Sequence, residues 1–579
     1  MNKDEINEEQ QGFSLRVFLK STRMITYSLI SVLMVFTTTL SFAESMADKV
    51  EQYNTQLAAA KNGNADAQYA VGLMLIHGQG VSKNSEDAVK WFRAAAAQGH
   101  AHAQYNLGVA YQKGVGVKAD QSETVRWFTQ GARSGSAKAQ YALGKLYLGG
   151  KGVAKDLQLA LQWFRKAAEQ GHGPGQYKLA LAYEEGISGL KKDPAEMEKW
   201  LLSASNNGVA KAQYKLGGYY LRGEGLKKDH ALAARLFKAA AEKGHRDSQY
   251  IMGVLLRNGD GVTTNHVDAV KYFTAAARQG HIRSQLILGN YFEWGKDAVA
   301  ADPAQSTYWY EQAVAQENAE AGYRLAVLYA TGRGGSKDPS KAIEMYKWSA
   351  EKGNMDAQYV LGLKYDVGDT VSQDETLAAK WYLAAAKQGY VEAQYETGNR
   401  YENGNGLNRN LVEAIKWYEK SANGHNKQAQ FALGRLNDKG IGMKQNKEKA
   451  KTWYRLAAEQ GYAKAQFELG GMLLNTKHTE HNAEAMDWLH KAAEQNDTAA
   501  QFLLGLAYKS SSIVPKDERK AFKWFLAAAE QDVAVAQFEV GRCYFLGSGV
   551  RQSDQKFLYW VRKAAANGHK EAKELLQKQ

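Results

Sequence analysis

The sequence predicts an all-α protein, a right-handed α/α superhelical solenoid of about fourteen 36-residue helix–turn–helix repeats. Two marker residues recur with nearly constant spacing, and no stretch alternates polar and apolar residues as a strand would. A fixed period between about 20 and 50 residues is typical of repeat arrays, in which each unit packs on its neighbours. Almost no residues are left for a separate catalytic domain.

The first marker is a glutamine that returns every 35, 36 or 37 residues. It stands at Gln68, Gln104, Gln140, Gln176, Gln213, Gln249, Gln285, Gln358, Gln394, Gln430, Gln466, Gln501 and Gln537, with Gly322 and Lys573 in two further units. The second marker follows about 23 residues later. It is Trp91, Trp127, Trp163, Trp200, Trp309, Trp381, Trp417, Trp453, Trp488, Trp524 and Trp560, with Leu236, Tyr272 and Met345 at the same phase.

Each unit begins with a predicted helix A. In the unit that starts near residue 100, Ala103, Leu107 and Tyr111 recur at the spacing of one helical face. Gly108 removes a side chain from that face, which allows another helix to come close. A Gly-x-Gly-Val turn follows at 114–117, because glycine adopts backbone angles that other residues resist.

Helix B has a predicted start and a predicted end. Seven residues before the second marker stands an Asp, Asn or Ser, the types that accept hydrogen bonds from a first helical turn. These predicted N-caps are Asp120, Asp156, Asp193, Asp229, Asp302, Asp338, Asp374, Asp517, Asn84, Asn265, Asn410, Asn446 and Ser553, and only His481 breaks the rule. Ten units place glycine eight residues after the second marker, where a left-handed residue closes a helix.

The ends of the array differ from its repeats. In residues 1–43, an apolar run follows Arg16, Lys20 and Arg23, and the segment ends in Ser41-Phe42-Ala43. This order is typical of a secretory signal peptide. An uncleaved N-terminal membrane anchor is the alternative. We expect an N-terminal capping half-repeat at 44–66, the solenoid at 67–569 and a C-terminal capping helix at 570–579.

Charge and cysteine content narrow the possible partners. The chain has a formal net charge of +13, which favours anionic partners, but no Lys/Arg-rich block indicates nucleic-acid binding. Cys543 is the single cysteine, so no intramolecular disulfide can form. The expected location is the periplasm or the cell exterior, or, with an anchor, the periplasmic face of the inner membrane.

The order Ala-x-Tyr-x-Leu-Gly, Gly-x-Gly-Val, Asp, Ala-x-x-Trp, Ala-Ala and Gly resembles the Sel-one-like repeat, a relative of the tetratricopeptide repeat. The resemblance covers residues 66–573. It implies an α/α solenoid that scaffolds protein complexes. Exported bacterial members resemble regulators of envelope assembly, host-interaction factors, or immunity proteins that neutralise a rival's lipase toxin. With one cysteine, this chain lacks the pattern of the cysteine-rich branch, so the β-lactam binding suggested for that branch does not carry over.

The search for chemistry yields few candidates. His478, Glu480, His481 and His490 form the one dense histidine cluster, and we interpret it as a degenerate turn rather than a metal site. No Ser-His-Asp or Cys-His spacing suggests a nucleophile. We therefore expect neither an enzyme nor a bound cofactor or metal.

Departures from the repeat are better candidates for contact. Around residues 291–302 the Gly-x-Gly-Val turn is lost and aromatic residues are added, and we predict Phe292 and Trp294 as contact residues for a partner. Two functions remain open. The first is a secreted or periplasmic scaffold that holds a protein on a concave surface of A helices, with an immunity protein as its most specific variant. The second is a basic binder of an anionic envelope polymer such as peptidoglycan.

Overall fold

The computed structural model describes residues 46–577 except residues 188, 296–298, 476–478 and 511–512. Helices and turns make up this part of the chain, which contains no strand, so the predicted all-α class is confirmed. None of the helices described combines the length and apolar character that crossing a bilayer requires. The predicted signal peptide or anchor, residues 1–43, lies outside the described residues.

The helices alternate between the two predicted types. The A helices are α2 (Ala65–His77), α4 (Ala101–Lys113), α6 (Ala137–Gly149), α8 (Gly173–Glu185), α10 (Ala210–Arg222), α12 (Arg246–Asn258), α14 (Ile282–Trp294), α16 (Ala319–Thr331), α18 (Met355–Val367), α20 (Val391–Asn403), α22 (Lys427–Lys439), α24 (Ala463–Leu474), α26 (Thr498–Lys509), α28 (Ala534–Leu546) and α30 (Lys570–Gln577).

The B helices lie between them. They are α1 (46–61), α3 (Ser85–Ala97), α5 (Gln121–Arg133), α7 (Leu157–Glu169), α9 (Pro194–Asn206), α11 (His230–Glu242), α13 (His266–Arg278), α15 (Pro303–Val314), α17 (Pro339–Glu351), α19 (Glu375–Lys387), α21 (Leu411–Asn423), α23 (Lys447–Glu459), α25 (Asn482–Glu494), α27 (Glu518–Glu530) and α29 (Asp554–Ala566). A short 3₁₀ turn, Thr479–His481, precedes α25.

The chain divides into two compact units, and the boundary between Ser284 and Gln285 falls in α14. In each unit, an A helix packs on the B helix of its own repeat and on the B helix before it. The tandem arrangement of about fourteen helix pairs confirms the predicted repeat organisation.

The glutamine marker holds these helices together with its side-chain amide. In α4, Gln104 is buried, and its Nε2 donates to the carbonyl oxygen of Ala96 in the preceding B helix at 3.1 Å. In most repeats Oε1 also accepts a bond from the residue that ends the following B helix, as Gln140 does from Gln170 at 2.7 Å. In those repeats one carboxamide joins three successive helices, and both of its polar ends are bonded.

The glycine four residues after the marker lets the two helices of a repeat approach closely. A Cβ atom on Gly108 would lie 2.5 Å from Cδ1 of Phe128, and one on Gly434 would lie 2.5 Å from Cδ1 of Tyr454. Real Cβ atoms essentially never come so close. The aromatic ring of helix B thus occupies the space that the glycine leaves free.

The predicted helix ends are confirmed. Each of the thirteen predicted N-cap residues accepts a backbone hydrogen bond from its B helix, and His481 makes no such bond. The ten predicted closing glycines all have positive φ. In the four remaining repeats the same position carries a residue other than glycine with φ near +60°, namely Glu317, His425, Asn496 and Asp532.

Histidines have a role that the sequence did not show. His100, His172 and His245 stand immediately before an A helix, and Nδ1 of each accepts the amide proton of the residue three positions later. His281 and His569 do the same. Burial lowers the pKa of His172, His245 and His281, and Lys138 and Lys145 lower that of His172 further.

Replacing Gly470 with alanine should destabilise α24 and α25, whereas the same change at the next residue, Gly471, should not. A Cβ atom on Gly470 would lie 2.8 Å from Cγ of Leu489, but one on Gly471 would meet no atom within 4 Å. Overpacking costs about 1–3 kcal/mol, whereas alanine in place of an unconstrained helical glycine stabilises by about 0.5–1 kcal/mol. Hydrogen exchange of the amides in these helices measures both effects, and equal protection in the two variants would contradict the close-contact explanation.

Acidic pH should destabilise the unit that ends at Ser284. The folded state holds His172, His245 and His281 neutral, so below their ordinary pKa of 6.5 the unfolded chain binds more protons than the folded chain. Their contribution to stability is complete above that pH and is lost as the pH falls towards the lowered values. Thermal midpoints between about pH 7.5 and about pH 5 measure the loss.

The matched control for the pH experiment is a triple variant with asparagine at the three histidine positions. Asparagine caps α16, α18 and α22 through the same hydrogen bond and does not titrate in this range. The variant should therefore lose less stability on acidification than the wild type. An unchanged slope would show that other groups cause the pH dependence.

Candidate functional site

One surface of each A helix carries residues that differ in exposure between repeats, from the exposed Glu392 to the buried Ala142 and Ala432. It is formed by the residues two before and two, five and eight after the glutamine marker, which lie on one side of the helix. We call this surface the A face. In α20, for example, it comprises Glu392, Glu396, Asn399 and Glu402.

The two predicted contact residues lie at the end of α14 and differ in exposure. Trp294 is 58% exposed, and the guanidinium carbon of Arg333 lies 4.4 Å from its ring centroid. Phe292 is half-buried, at the repeat position that Tyr329 occupies in α16. The structure thus presents the tryptophan to solvent, and contact with a partner stays a prediction.

Glu293, between these two residues, is part of an ionic network. Its side chain is only 5% exposed, and it lies 3.5 Å from the guanidinium of Arg333. It also accepts a hydrogen bond of 3.4 Å from the hydroxyl of Tyr310. Arg333 therefore contacts both the buried carboxylate and the exposed tryptophan ring.

Tyrosines replace phenylalanines in five successive B helices of the unit that begins at Gln285. The residue after the second marker is Phe92, Phe128, Phe164, Leu201, Phe237 or Phe273 in the first unit, but Tyr310, Tyr346, Tyr382, Tyr418 and Tyr454 in the second. Burial raises the pKa of each of these tyrosines, that of Tyr346 to about 12. The hydroxyls therefore stay protonated and can donate hydrogen bonds.

Four of these repeats also carry an acid eight residues after the glutamine marker. The acids are Glu293, Asp366, Glu402 and Asp438. The remaining repeat, which is formed by α16 and α17 and is called repeat eight, has Ala330 at this position. Tyr418 donates to Oε2 of Glu402 at 2.9 Å, the same pairing as that of Tyr310 with Glu293. Sequence reasoning missed these pairs, although four of the five tyrosine repeats carry such an acid, whereas in the first unit Glu184 alone stands at that position.

Tyr382 breaks this pattern. Its side chain is 0% exposed and its hydroxyl has no hydrogen-bond partner. Asp366 is one methylene shorter than the glutamates of the paired repeats, and it forms an ion pair with Arg400. The guanidinium carbon of Arg400 lies 5.5 Å from the Tyr382 ring centroid.

Asp366 and Glu396 raise the pKa of this tyrosine, and Asp356 and Glu392 raise that of the neighbouring Tyr390; we call these four carboxylates the acidic cluster. Burial raises the pKa of Glu396, and the charge of Asp366 raises it further, while Arg400 opposes the shift. The charges of Glu392 and Glu396 both raise the pKa of Tyr359, whose ring centroid lies 5.8 Å from that of Tyr382. In the described structure Arg400 is the single cation that lowers the pKa of Glu396, so negative charge predominates around this carboxyl group.

In α6, α8 and α10 of the unit that ends at Ser284, the A face carries lysines two before, two after or five after the glutamine marker. Lys138, Lys145, Lys178 and Lys211 form the lysine row, and no carboxylate of the described residues lies within ion-pair distance of them. Lys215, one turn beyond Lys211, is paired with Glu184 at 2.8 Å. The A face of this unit is therefore suited to anionic groups.

The predicted histidine cluster is only partly described, since His478 lies outside the described residues. His490 uses both ring nitrogens for protein contacts, with Nδ1 2.7 Å from the carbonyl oxygen of Met486 and Nε2 3.2 Å from the hydroxyl of Tyr508. Within the described ranges, no group of three or more His, Cys, Asp or Glu side chains is arranged to hold a metal ion. Burial raises the pKa of Cys543 to about 11, so its thiol stays protonated.

Comparison with known proteins gives one family. The model of the Sel1 repeat matches fourteen successive segments: 65–100, 101–136, 137–172, 173–209, 210–245, 246–281, 282–318, 319–354, 356–390, 391–426, 427–462, 463–497, 498–533 and 534–569. No curated protein matches the chain.

Three solved structures are similar to parts of the chain. A protective antigen present in uropathogenic Escherichia coli strains, with an SLR fold, is 30% identical, with a TM-score of 0.65, and the match covers 81% of this chain and 99% of that one. A Sel1 repeat protein from Oxalobacter formigenes is 29% identical over 54% of this chain and 89% of that one, with a TM-score of 0.38. An immunity protein from Pseudomonas aeruginosa is 22% identical over 38% and 81%, with a TM-score of 0.25.

The repeat matches span most of the chain, and the E. coli protein is matched over nearly its whole length. The helix pairs, their caps and the buried glutamines recur with the same period as these matches. The chain therefore belongs to the Sel1 repeat family.

Proposed function

We propose that this protein is an exported, non-enzymatic scaffold that binds another protein through the A face. Sel1-repeat proteins are protein-interaction scaffolds. The observation that carries the proposal for this chain is a contrast between its own repeats. Interior positions keep the same residue types, whereas the residue two after the glutamine marker is lysine in α10, arginine in α16 and glutamate in α20.

Such a contrast is expected of a binding surface. A side chain that packs between helices is restricted by its neighbours, so every repeat needs a similar one. An exposed side chain on the A face meets no such restriction, and its chemistry can follow that of a ligand. Solenoids bind their partners through extended surfaces of this kind.

Export is supported by the N-terminal sequence and by the description of one relative. Residues 1–43 have the order of charged, apolar and small residues that a signal peptide requires. The relative from E. coli is described as a protective antigen, a role that suits a protein accessible to the immune system. An immunity protein that binds a secreted toxin is one form of the same function. A gene for a lipase-type toxin beside the gene for this protein would favour the immunity role.

A second candidate function is binding of an anionic envelope polymer. The lysine row favours it, because its four cations lie on one face and lack acidic partners in the described structure. Acidic groups of peptidoglycan or of a surface polysaccharide would complement this charge. The two functions differ in their ligand and can be separated by experiment.

Trp294→Ala should reduce recovery of a protein partner from the native cell envelope by about tenfold or more. An exposed tryptophan that becomes buried in an interface commonly contributes at least about 2 kcal/mol of binding free energy. Quantitative pull-down with the full chain measures the loss, and adding Phe292→Ala should increase it. Tyr559→Ala is the matched control, since Tyr559 is also 58% exposed but lies on a B helix. Equal recovery with both variants would exclude Trp294 from the interface.

If the polymer is the ligand, the double variant Lys138→Gln and Lys211→Gln should weaken co-sedimentation with purified cell-wall material severalfold. Both lysines are exposed on the A face, and their attraction to acidic groups should also decrease with added salt. The control variant Lys166→Gln and Lys238→Gln removes the same charge from exposed B-helix positions. An equal effect of both variants would indicate attraction by net charge alone.

A further inference from the structure

We propose that the acidic cluster of α18 and α20 binds a lysine or arginine side chain in an extended segment of a partner protein. This inference rests on the proposed scaffold function and specifies the chemistry that the A face of the second unit recognises. It assigns Glu392 and Glu396 as the residues that contact the cation.

The charges of the cluster differ from those of its neighbours. Most other A-face acids of this unit are neutralised locally, Glu402 by Arg435, Asp438 by Lys447 and Glu320 by Arg324, whereas Glu468 of α24 also lacks an ion pair in the described structure. No Lys, Arg or His of the described structure lies within ion-pair distance of Asp356, Glu392 or Glu396. A partly buried carboxylate without a counter-ion is unfavourable, and an incoming cation would relieve this cost.

The buried hydroxyl of Tyr382 is a second, independent observation at the same place. A buried hydroxyl without a partner costs about 1–3 kcal/mol, yet the equivalent residue in α5, Phe128, fills the same position without one. The charges of Asp366, Glu396 and Arg400 all shift the pKa of this hydroxyl, and the guanidinium carbon of Arg400 lies 5.5 Å from its ring centroid, so the hydroxyl lies beside these groups. An ammonium or guanidinium group carries several N–H donors and can give one to the tyrosine oxygen while it pairs with the carboxylates.

Aromatic rings complete the site. Tyr359 and Tyr390 stack with ring centroids 4.7 Å apart, and both are half-buried beside Glu392. A ring face next to a carboxylate attracts a cation, and it also packs against the methylene groups of a lysine or arginine stem. The combination of carboxylates, a hydroxyl and stacked rings suits a cationic side chain better than an inorganic ion.

Binding of a fluorescent oligolysine peptide to the full chain tests the proposal. The chain has a net charge of +13, so general electrostatics oppose this complex and measurable binding requires a local acidic site. The double variant Glu392→Gln and Glu396→Gln should weaken binding about tenfold or more, measured by fluorescence anisotropy. The control variant Glu344→Gln and Glu419→Gln, at exposed positions of α17 and α21, should leave it unchanged.

Tyr382→Phe provides a further variant that is expected to fold. Removing an unpaired buried hydroxyl should leave the thermal midpoint unchanged or raise it, whereas oligolysine binding should weaken severalfold. Unchanged binding would remove this hydroxyl from the site. No binding to the wild type, equal weakening in the control variant, or equal competition by Ca²⁺ alone or by spermidine would overturn the proposal.

The inference and the proposed function can fail separately. A native partner whose recovery is unaffected by Glu392→Gln and Glu396→Gln would leave the scaffold function intact and exclude the acidic cluster. Specific oligolysine binding together with no recoverable protein partner would support the cluster as a cation site and contradict the scaffold function.

Discussion

The structure depends on a buried carboxamide that bonds to the helix before it and the helix after it. In twelve described repeats the glutamine marker donates to a backbone carbonyl at 3.0–3.3 Å, and in ten its oxygen accepts from a glutamine or asparagine about 30 residues later. A glutamine amide in an apolar interior is favourable only when both ends are bonded. Where Ser134 or Lys243 replaces the second partner, the oxygen of Gln104 or Gln213 is left without a bond.

The framework could be predicted from the sequence because its signals are local. An N-cap such as Asp120 bonds within its own first turn, and a closing glycine such as Gly135 needs only its own backbone angle. Each signal lies within a few residues of the structure that it determines. Because the signals recur through the fourteen repeats, they can be distinguished from a chance pattern. The A-helix histidines were missed because histidine is an unusual cap and its ring must first be placed against the next helix.

The chemistry of the A face was harder to predict. The hydroxyl of Tyr418 and the carboxylate of Glu402 are 16 residues apart on different helices, so their contact exists only once those helices pack. Phenylalanine and tyrosine fill the ring site equally well, and a helical pattern does not distinguish them. The lysine row and the acidic cluster both lie on the A face, but in different units. A count over the whole chain averages them into one net charge and conceals both.

Repeat eight is assembled differently from its neighbours. Gly322 stands where the glutamine marker belongs, and Trp348 fills the space, since a Cβ atom on Gly322 would lie 2.5 Å from its ring. Ser349 still bonds to Ala319 within the repeat, but the joint between α15 and α16 lacks the directional amide bond. Packing contacts without a hydrogen bond tolerate sliding over fractions of an ångström, which a hydrogen bond does not. This joint is therefore the compliant point of the second unit, where mechanical load or a change in curvature would concentrate.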